Sequence, residues 1–501
     1  MSKAKAKIRR LNKAVKAKRA EMIAEFYRRM FILGGMITAT DTYKRTMSAA
    51  SVDFSLKPAS YHLTFRRGLS EPGAGDQLIM AGHEAMLSQW FGQPLKRGDI
   101  EIARHWCSTA ANVKAFPHEL WDDVLARNPR RRNIDLDIDV WGFPGGQTML
   151  KNVPAMSFEG IGGLITLVEP AMCRYFAPVI QATKTRLMSQ SSQNFAEFGL
   201  RAAVLELNNI ILLHAMIVGG GGKPILTSND SAEFMWPHLF KSIGTLGHEL
   251  MCSNQRLDKP LAEAEYEMMD LALTRVPDSK LLCDLIDAET IGLHNFIKAL
   301  VAHPEAIKAG GRIDSGDIAA QCVQYFLAMR KAGITPDRIT VYEDEVKPTK
   351  CDEVNDFFRE HTGEEPNKLF PGAGGYFWRD VHRDTVSAAF KRSETDGNPN
   401  IKFSNSPGKE SYPGTIRVYG IGEVMYIADK SEVVDGFPLY VQLVKKGRIV
   451  YNESLEAQGQ RANETWGKYT RVEISPLIQH YMDVYRGKRE EERLAFLASQ
   501  A

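Results

Sequence analysis

Apolar residues return at helical spacing near the start of the chain. Ile8, Leu11 and Val15, then Met22, Ile23, Phe26, Tyr27 and Met30, predict one helix over residues 3–30. The pattern then turns mixed. Tyr61–Arg67 and Asn133–Phe143 alternate apolar and polar positions, as strands with one buried face do. Asp76–Phe91 between them has the spacing of an amphipathic helix. From residue 156 to 370, short apolar runs alternate with longer helical patterns. Strands are predicted over Phe195–Arg201, Leu281–Asp287, Gly310–Asp314 and Ile339–Tyr342. Helices are predicted over Leu164–Thr185 (divided by Pro170 and Pro178), from Ala202 onward, over Thr290–His303 and over Ile318–Ala332. Repeated strand–helix units imply a parallel sheet, open or closed into a barrel. After 376 the mixed pattern returns, with a hairpin over Pro438–Leu443 and Arg448–Tyr451 and helices from Ser454 and over Tyr481–Gln500. This rhythm divides the chain into a helical extension (1–30), a mixed segment (31–155), an alternating α/β segment (156–375) and a second mixed segment (376–501).

A chain of 501 residues allows two or three domains. Its 44% hydrophobic and 25% charged residues are ordinary for a globular protein that needs no disulfide or structural metal to build a core. Charge is unevenly placed. Residues 1–30 hold eleven Lys/Arg against Glu21 and Glu25, so the body is mildly acidic. A solvated helical extension is the favoured reading of this tail. Nucleic-acid contact through residues 3–19 is the alternative, because clustered cations neutralise phosphates. A mitochondrial presequence is a third, though serine is scarce there. Six cysteines are scattered, with no C-x-x-C pair, which gives zinc and dithiol chemistry no support and points to a reducing, cytoplasmic setting. No apolar run reaches the length of a membrane span, and no signal-peptide core is expected.

Polar residues gather where strands of the alternating segment end: Arg201, Asp287, Arg312, Asp314 and Asp344. In a βα barrel that face carries the chemistry. Arg312 and Asp314 lie two apart on one strand and so share a side. His248 lies in Gly-Thr-Leu-Gly-His-Glu (244–249), and Phe-Pro-Gly-Ala-Gly-Gly (370–375) can bring backbone N–H groups up to a phosphate. Singly, each has a plainer reading: a surface ion pair, a structural histidine, a turn. Together they suit phosphoribosyl transfer. That reaction needs cations for a leaving diphosphate, an N–H nest for the 5-phosphate, carboxylates for ribose hydroxyls and aromatic walls for a flat base.

Taken in order, these segments resemble the nicotinate phosphoribosyltransferase family and its nicotinamide-using relatives, from about Thr38 to Trp466. The resemblance rests on Asp41-Thr42-Tyr43, Phe65-Arg66-Arg67, Glu197-Phe198-Gly199-Leu200-Arg201, Thr227-Ser228-Asn229, Gly244–Glu249 and the C-terminal runs Pro413–Tyr419 and Pro438–Leu455. Its most specific motif is Arg312-Ile313-Asp314-Ser315-Gly316-Asp317. It implies a type II phosphoribosyltransferase-like fold: an irregular α/β barrel plus an α/β sandwich domain built from both chain ends. It implies transfer from phosphoribosyl diphosphate, with Mg²⁺, to nicotinate, giving nicotinate mononucleotide for NAD salvage. ATP hydrolysis would be coupled through a phosphohistidine at His248. It also implies a homodimer with shared sites. Tyr43 of the partner subunit and Phe198 would sandwich the pyridine. Arg201 and Arg312 would bind phosphate or carboxylate oxygens, Asp314 would hold the ribose, and Ser228, Asn229 and Thr245 would line the base pocket. Arg66, Gly372, Gly374 and Gly375 would take phosphate.

Ser228-Asn229 fits the nicotinate branch. The amide branch uses a nearby Asp, and Asp230 is one position along, so nicotinamide stays as the alternative. A nucleic-acid-associated scaffold with an inactive barrel is the alternative from another class. The chain departs from the family at four places: Leu226 and Gly247 stand for a Gly and an Ala, Tyr342-Glu343-Asp344-Glu345 replaces an Asp-Leu-Asp-Glu-like strand end, and the loop at 370–375 lacks a Thr.

Overall fold

The computed structural model describes residues 3–30, 35–109, 115–192, 194–334, 339–404 and 410–500. The protein is mixed α/β and forms two compact units. The first comprises Met1–Thr183, Ile211–Lys223 and Asp380–Ala501; the second comprises Lys184–Ile210 and Pro224–Arg379.

The second unit is built on seven strands: β1 (Ala196–Glu197), β2 (Ile225–Thr227), β3 (Phe240–Ser242), β4 (Lys280–Leu282), β5 (Gly310–Ile313), β6 (Thr340–Tyr342) and β7 (Leu369–Ala373). Their spatial order is β3-β2-β1-β7-β6-β5-β4, and every neighbouring pair is parallel. Helices Leu261–Arg275, Ile291–Ala302, Ile318–Lys331 and Pro348–Thr362 alternate with the last four strands. Leu281, Leu282, Ile313, Val341 and Tyr342 are all buried. Strands covered on both faces read as apolar runs rather than as alternation. β3 and β4 are the sheet edges, and just past β3 the Leu246 N–H donates to the Lys280 carbonyl at 3.2 Å.

Strands here are shorter than their apolar patterns predict. The strand expected over Phe195–Arg201 ends at Glu197, whose own carboxylate accepts the Gly199 N–H at 2.6 Å and turns the chain; the following helix starts at Glu206 rather than Ala202. The strand expected to reach Asp287 ends at Leu282. Asp287 instead accepts from the backbone N–H of Glu289 and Thr290 at 3.1 and 2.6 Å, at the entry to the next helix.

In the first unit, a seven-stranded antiparallel sheet runs in the order Asn398–Pro399, Ala388–Thr395, Pro58–Phe65, Pro154–Ile161, Ile138–Gly142, Val441–Lys445, Arg448–Ile449. Both chain ends contribute, and Leu63 at its centre faces Phe390 on one side and Met156 on the other. The strand expected over Pro438–Leu443 is divided between two sheets. Phe437–Pro438 pairs with Ile416–Ile421 in a four-stranded sheet, while Val441–Lys445 forms the hairpin through Lys446 and Gly447, both at positive φ. The helix expected over Asp76–Phe91 starts only at His83. Leu78 to Ala81 are all buried, and Gln77–Ile79 pairs as a strand with Thr148–Leu150. The N-terminal helix Lys3–Met30 leaves Ile8, Leu11 and Val15 exposed and buries Phe26. Among the described residues no helix is long and apolar enough to cross a membrane.

Two histidines inside this unit are fully enclosed. His62 Nε2–H donates to the Gly414 carbonyl at 3.0 Å, and His83 Nε2–H to the Phe143 carbonyl at 2.8 Å. Burial pushes each imidazole down from 6.5 to about 4, so both are neutral near pH 7. With folded values below the unfolded value, their contribution is fully present above pH 6.5 and is lost as pH falls toward 4. Each is worth up to about 3 kcal/mol by linkage. Urea unfolding of the full chain is expected to lose stability steeply between pH 6.5 and 4.5, and His83→Gln should flatten that slope. An unaltered slope in the variant would remove His83 from the account.

Candidate active site

Parallel strands end together, so residues just past their carboxyl ends share one rim of the second unit. Arg312, the third residue of β5, is largely buried there. Its Nη1 donates to the Leu246 carbonyl at 2.7 Å, and its Nη2 to Asp314 Oδ2 and Glu343 Oε2, both at 3.0 Å. Glu343 follows β6. Burial raises its carboxyl above the usual range, and the Arg312 charge opposes that rise. Asp284, two residues past β4, stands 3.0 Å from His248 Nε2 and accepts from the Ser315 hydroxyl at 3.0 Å. Asp314 Oδ2 is 3.8 Å from His248 Nδ1. The imidazole therefore lies between two carboxylates with its side chain 50% exposed. It opens the short helix His248–Cys252. Two carboxylates on the ring nitrogens can hold a cation or orient an imidazole that accepts a group from outside.

At the neighbouring strand ends a different network sets the walls. Glu197 is fully buried. Its Oε1 accepts from Gly199 N–H and Trp378 Nε1 at 2.6 and 3.2 Å, and its Oε2 from the Thr227 hydroxyl at 2.9 Å. Burial raises its carboxyl and these donors offset the rise. The network fixes the chain on either side of Phe198, whose N–H also donates to the Ala373 carbonyl at 2.9 Å. Phe198 lies over Gly372: a Cβ there would stand 2.6 Å from the ring.

Phe198, Arg201, Ser228, Asn229, Thr245, His248, Arg312, Asp314, Gly372, Gly374 and Gly375 all belong to the second unit. Asn229 is buried, and both ends of its amide are committed: Oδ1 accepts from Ala232 N–H at 3.2 Å and Nδ2 donates to Asn209 Oδ1 at 2.8 Å. Arg201 is exposed, and its charge acts on Glu343. Tyr43 and Arg66 belong to the first unit. Tyr43 is half-exposed beside Lys44, whose ammonium is 4.6 Å from its ring centroid and pairs with Glu169. Arg66 lines a cavity of about 210 Å³ with His62, Lys391, Ser411 and Arg486. Burial lowers the Arg66 and Lys391 values, as for cations short of solvent.

Sequence reasoning passed over Asp284 and Glu343. It placed the acidic strand ends at Asp287 and Asp344, but Asp287 binds the N–H groups at a helix entry, and Asp344 sits exposed at φ 66 in a left-handed turn. A carboxylate directly after a short apolar run, Leu281-Leu282-Cys283 or Val341-Tyr342, was the available signal.

No protein-family profile and no curated protein matches the chain in sequence. Solved structures match in three dimensions. The chain is similar to human nicotinic acid phosphoribosyltransferase, at 16% identity over 89% of this chain and 99% of that one, with a TM-score of 0.61. It is likewise similar to the nicotinate-nucleotide pyrophosphorylase from Pyrococcus furiosus, at 15% identity over 86% and 95%, with a TM-score of 0.60. At these identities the likeness establishes a shared fold.

Proposed function

We propose that the protein transfers the phosphoribosyl group of phosphoribosyl diphosphate to a pyridine base of the nicotinate or nicotinamide type, in NAD salvage. The reading is carried by one observation: in a fold shared with human nicotinic acid phosphoribosyltransferase, His248, Asp284, Arg312, Asp314 and Glu343 converge at one rim of the parallel sheet. The ribose C1–oxygen bond breaks, diphosphate leaves with the bonding pair, and the pyridine nitrogen lone pair forms the new C1–N bond. Asp314 accepts from a ribose hydroxyl and faces the positive charge that develops on the sugar. Phe198 stacks on the base. The backbone N–H groups of Gly374 and Gly375 take the 5-phosphate, where no β-carbon intervenes. In a homodimer Tyr43 of the partner subunit closes the second face of the base. Mg²⁺ neutralises the diphosphate when bound. Asp284 and Asp314 are the carboxylates that would hold it there. ATP hydrolysis is coupled through phosphorylation of His248.

Incubation with phosphoribosyl diphosphate, Mg²⁺ and ATP should convert labelled nicotinate, nicotinamide or both to the mononucleotide, with diphosphate released one for one. Failure to turn over either base would end this reading.

A further inference from the structure

Helix Lys3–Met30 is anchored through its last turns. Phe26 is buried, with its ring centroid 6.0 Å from that of His214 in the same unit, and Tyr27 beside it is half-buried. From Lys7 to Lys18, by contrast, every side chain is exposed. This bare stretch has a sharply divided surface. Ile8, Leu11 and Val15 are 58, 54 and 43% exposed, and their spacing of three and four residues puts them in one stripe along the helix. Lys7 and Lys18 border the stripe on one side and Arg19 on the other. Lys5–Ala20 holds eight Lys/Arg and no Asp or Glu. Lys18 reaches an acid only past that stretch, at Glu21, 2.9 Å away.

We infer that residues 5–20 form a docking surface for a lipid bilayer bearing anionic headgroups, with the helix lying in the plane of the membrane. Charge and apolar stripe together select this occupant. A second copy of the helix would cover the stripe but set eight cations against eight. A nucleic acid would neutralise the cations and leave three aliphatic side chains in water. An anionic bilayer accommodates both. Ile8, Leu11 and Val15 enter the boundary between headgroups and acyl chains, and the flanking lysines and arginines lay their stems along it and carry their charges out to the lipid phosphates. The helix is too charged to cross the membrane, so it stays at the surface.

The test is flotation of the full chain with phosphatidylcholine vesicles, plain or containing about 30% phosphatidylserine. Wild type should bind the anionic vesicles at least about tenfold more tightly than the neutral ones, and added salt should release it. Ile8→Gln/Leu11→Gln/Val15→Gln keeps every charge and the helix propensity and alters no buried group. It should unfold thermally like wild type and bind the anionic vesicles at least about tenfold more weakly. Absence of binding to anionic vesicles, or equal binding by the glutamine variant, overturns the inference. So does tighter binding to duplex DNA or single-stranded RNA that the glutamine variant retains, which would assign the helix to nucleic acid. Flotation needs no turnover, so its outcome is separate from that of the transfer assay.

Discussion

Replacing His248 by alanine is expected to abolish ATP hydrolysis coupled to transfer, while stability stays within about 0.5 kcal/mol of wild type. The imidazole is half-exposed at the start of a five-residue helix, so truncation opens no cavity. Its chemistry has no substitute nearby. A phosphoryl acceptor needs a lone pair on one ring nitrogen and a group that orients the other. Asp284 stands 3.0 Å from Nε2, and Asp314 stands 3.8 Å from Nδ1, beyond direct hydrogen-bond distance. Phosphate release measured with and without the base gives the coupling directly. Coupling that survives in His248→Ala would refute the phosphohistidine assignment.

Arg312→Ala is expected to cost both activity and stability: about a thousandfold in kcat/KM, and about 3–5 kcal/mol for a buried pair that loses one member. The side chain is 11% exposed and holds two carboxylates and a carbonyl at once. Without it, Glu343 and Asp314 lose their shared counterion, and the buried Glu343 carboxyl rises further above the usual range. Arg312→Lys should recover part of the stability and little of the activity, because an ammonium cannot present two parallel N–H groups to separate acceptors. Denaturant unfolding and transfer assays on both variants would show it. A lysine variant within fivefold of wild type would mean that charge alone suffices and the fork geometry is dispensable.

Much of this architecture was legible in the order of apolar runs, because parallel strands covered on both faces leave short hydrophobic signatures between helical ones. Arg312 and Asp314 were legible for a sharper reason: two-residue spacing puts side chains on one side of an extended chain. The neighbouring carboxylates were not. Reading Asp284 and Glu343 requires knowing to within one residue where a strand stops, and that is decided by contacts the local pattern does not contain. Here they are the Asp287 bonds at the next helix entry and the left-handed turn at Asp344 and Glu345. Asn229 illustrates the converse. A polar residue after a strand reads as a ligand contact, but its partner Asn209 lies twenty residues away in sequence and takes up its amide.

Leu246, near the two edges of the parallel sheet, is held through both of its backbone groups: its N–H by the Lys280 carbonyl at 3.2 Å and its carbonyl by Arg312 at 2.7 Å. His248 follows two residues later. A phosphoryl group on that ring would bring roughly two negative charges against Asp284 and Asp314, and the push would fall on the segment held by this double grip. Phosphorylation would therefore load these two hydrogen bonds, and loss of the phosphoryl group would unload them.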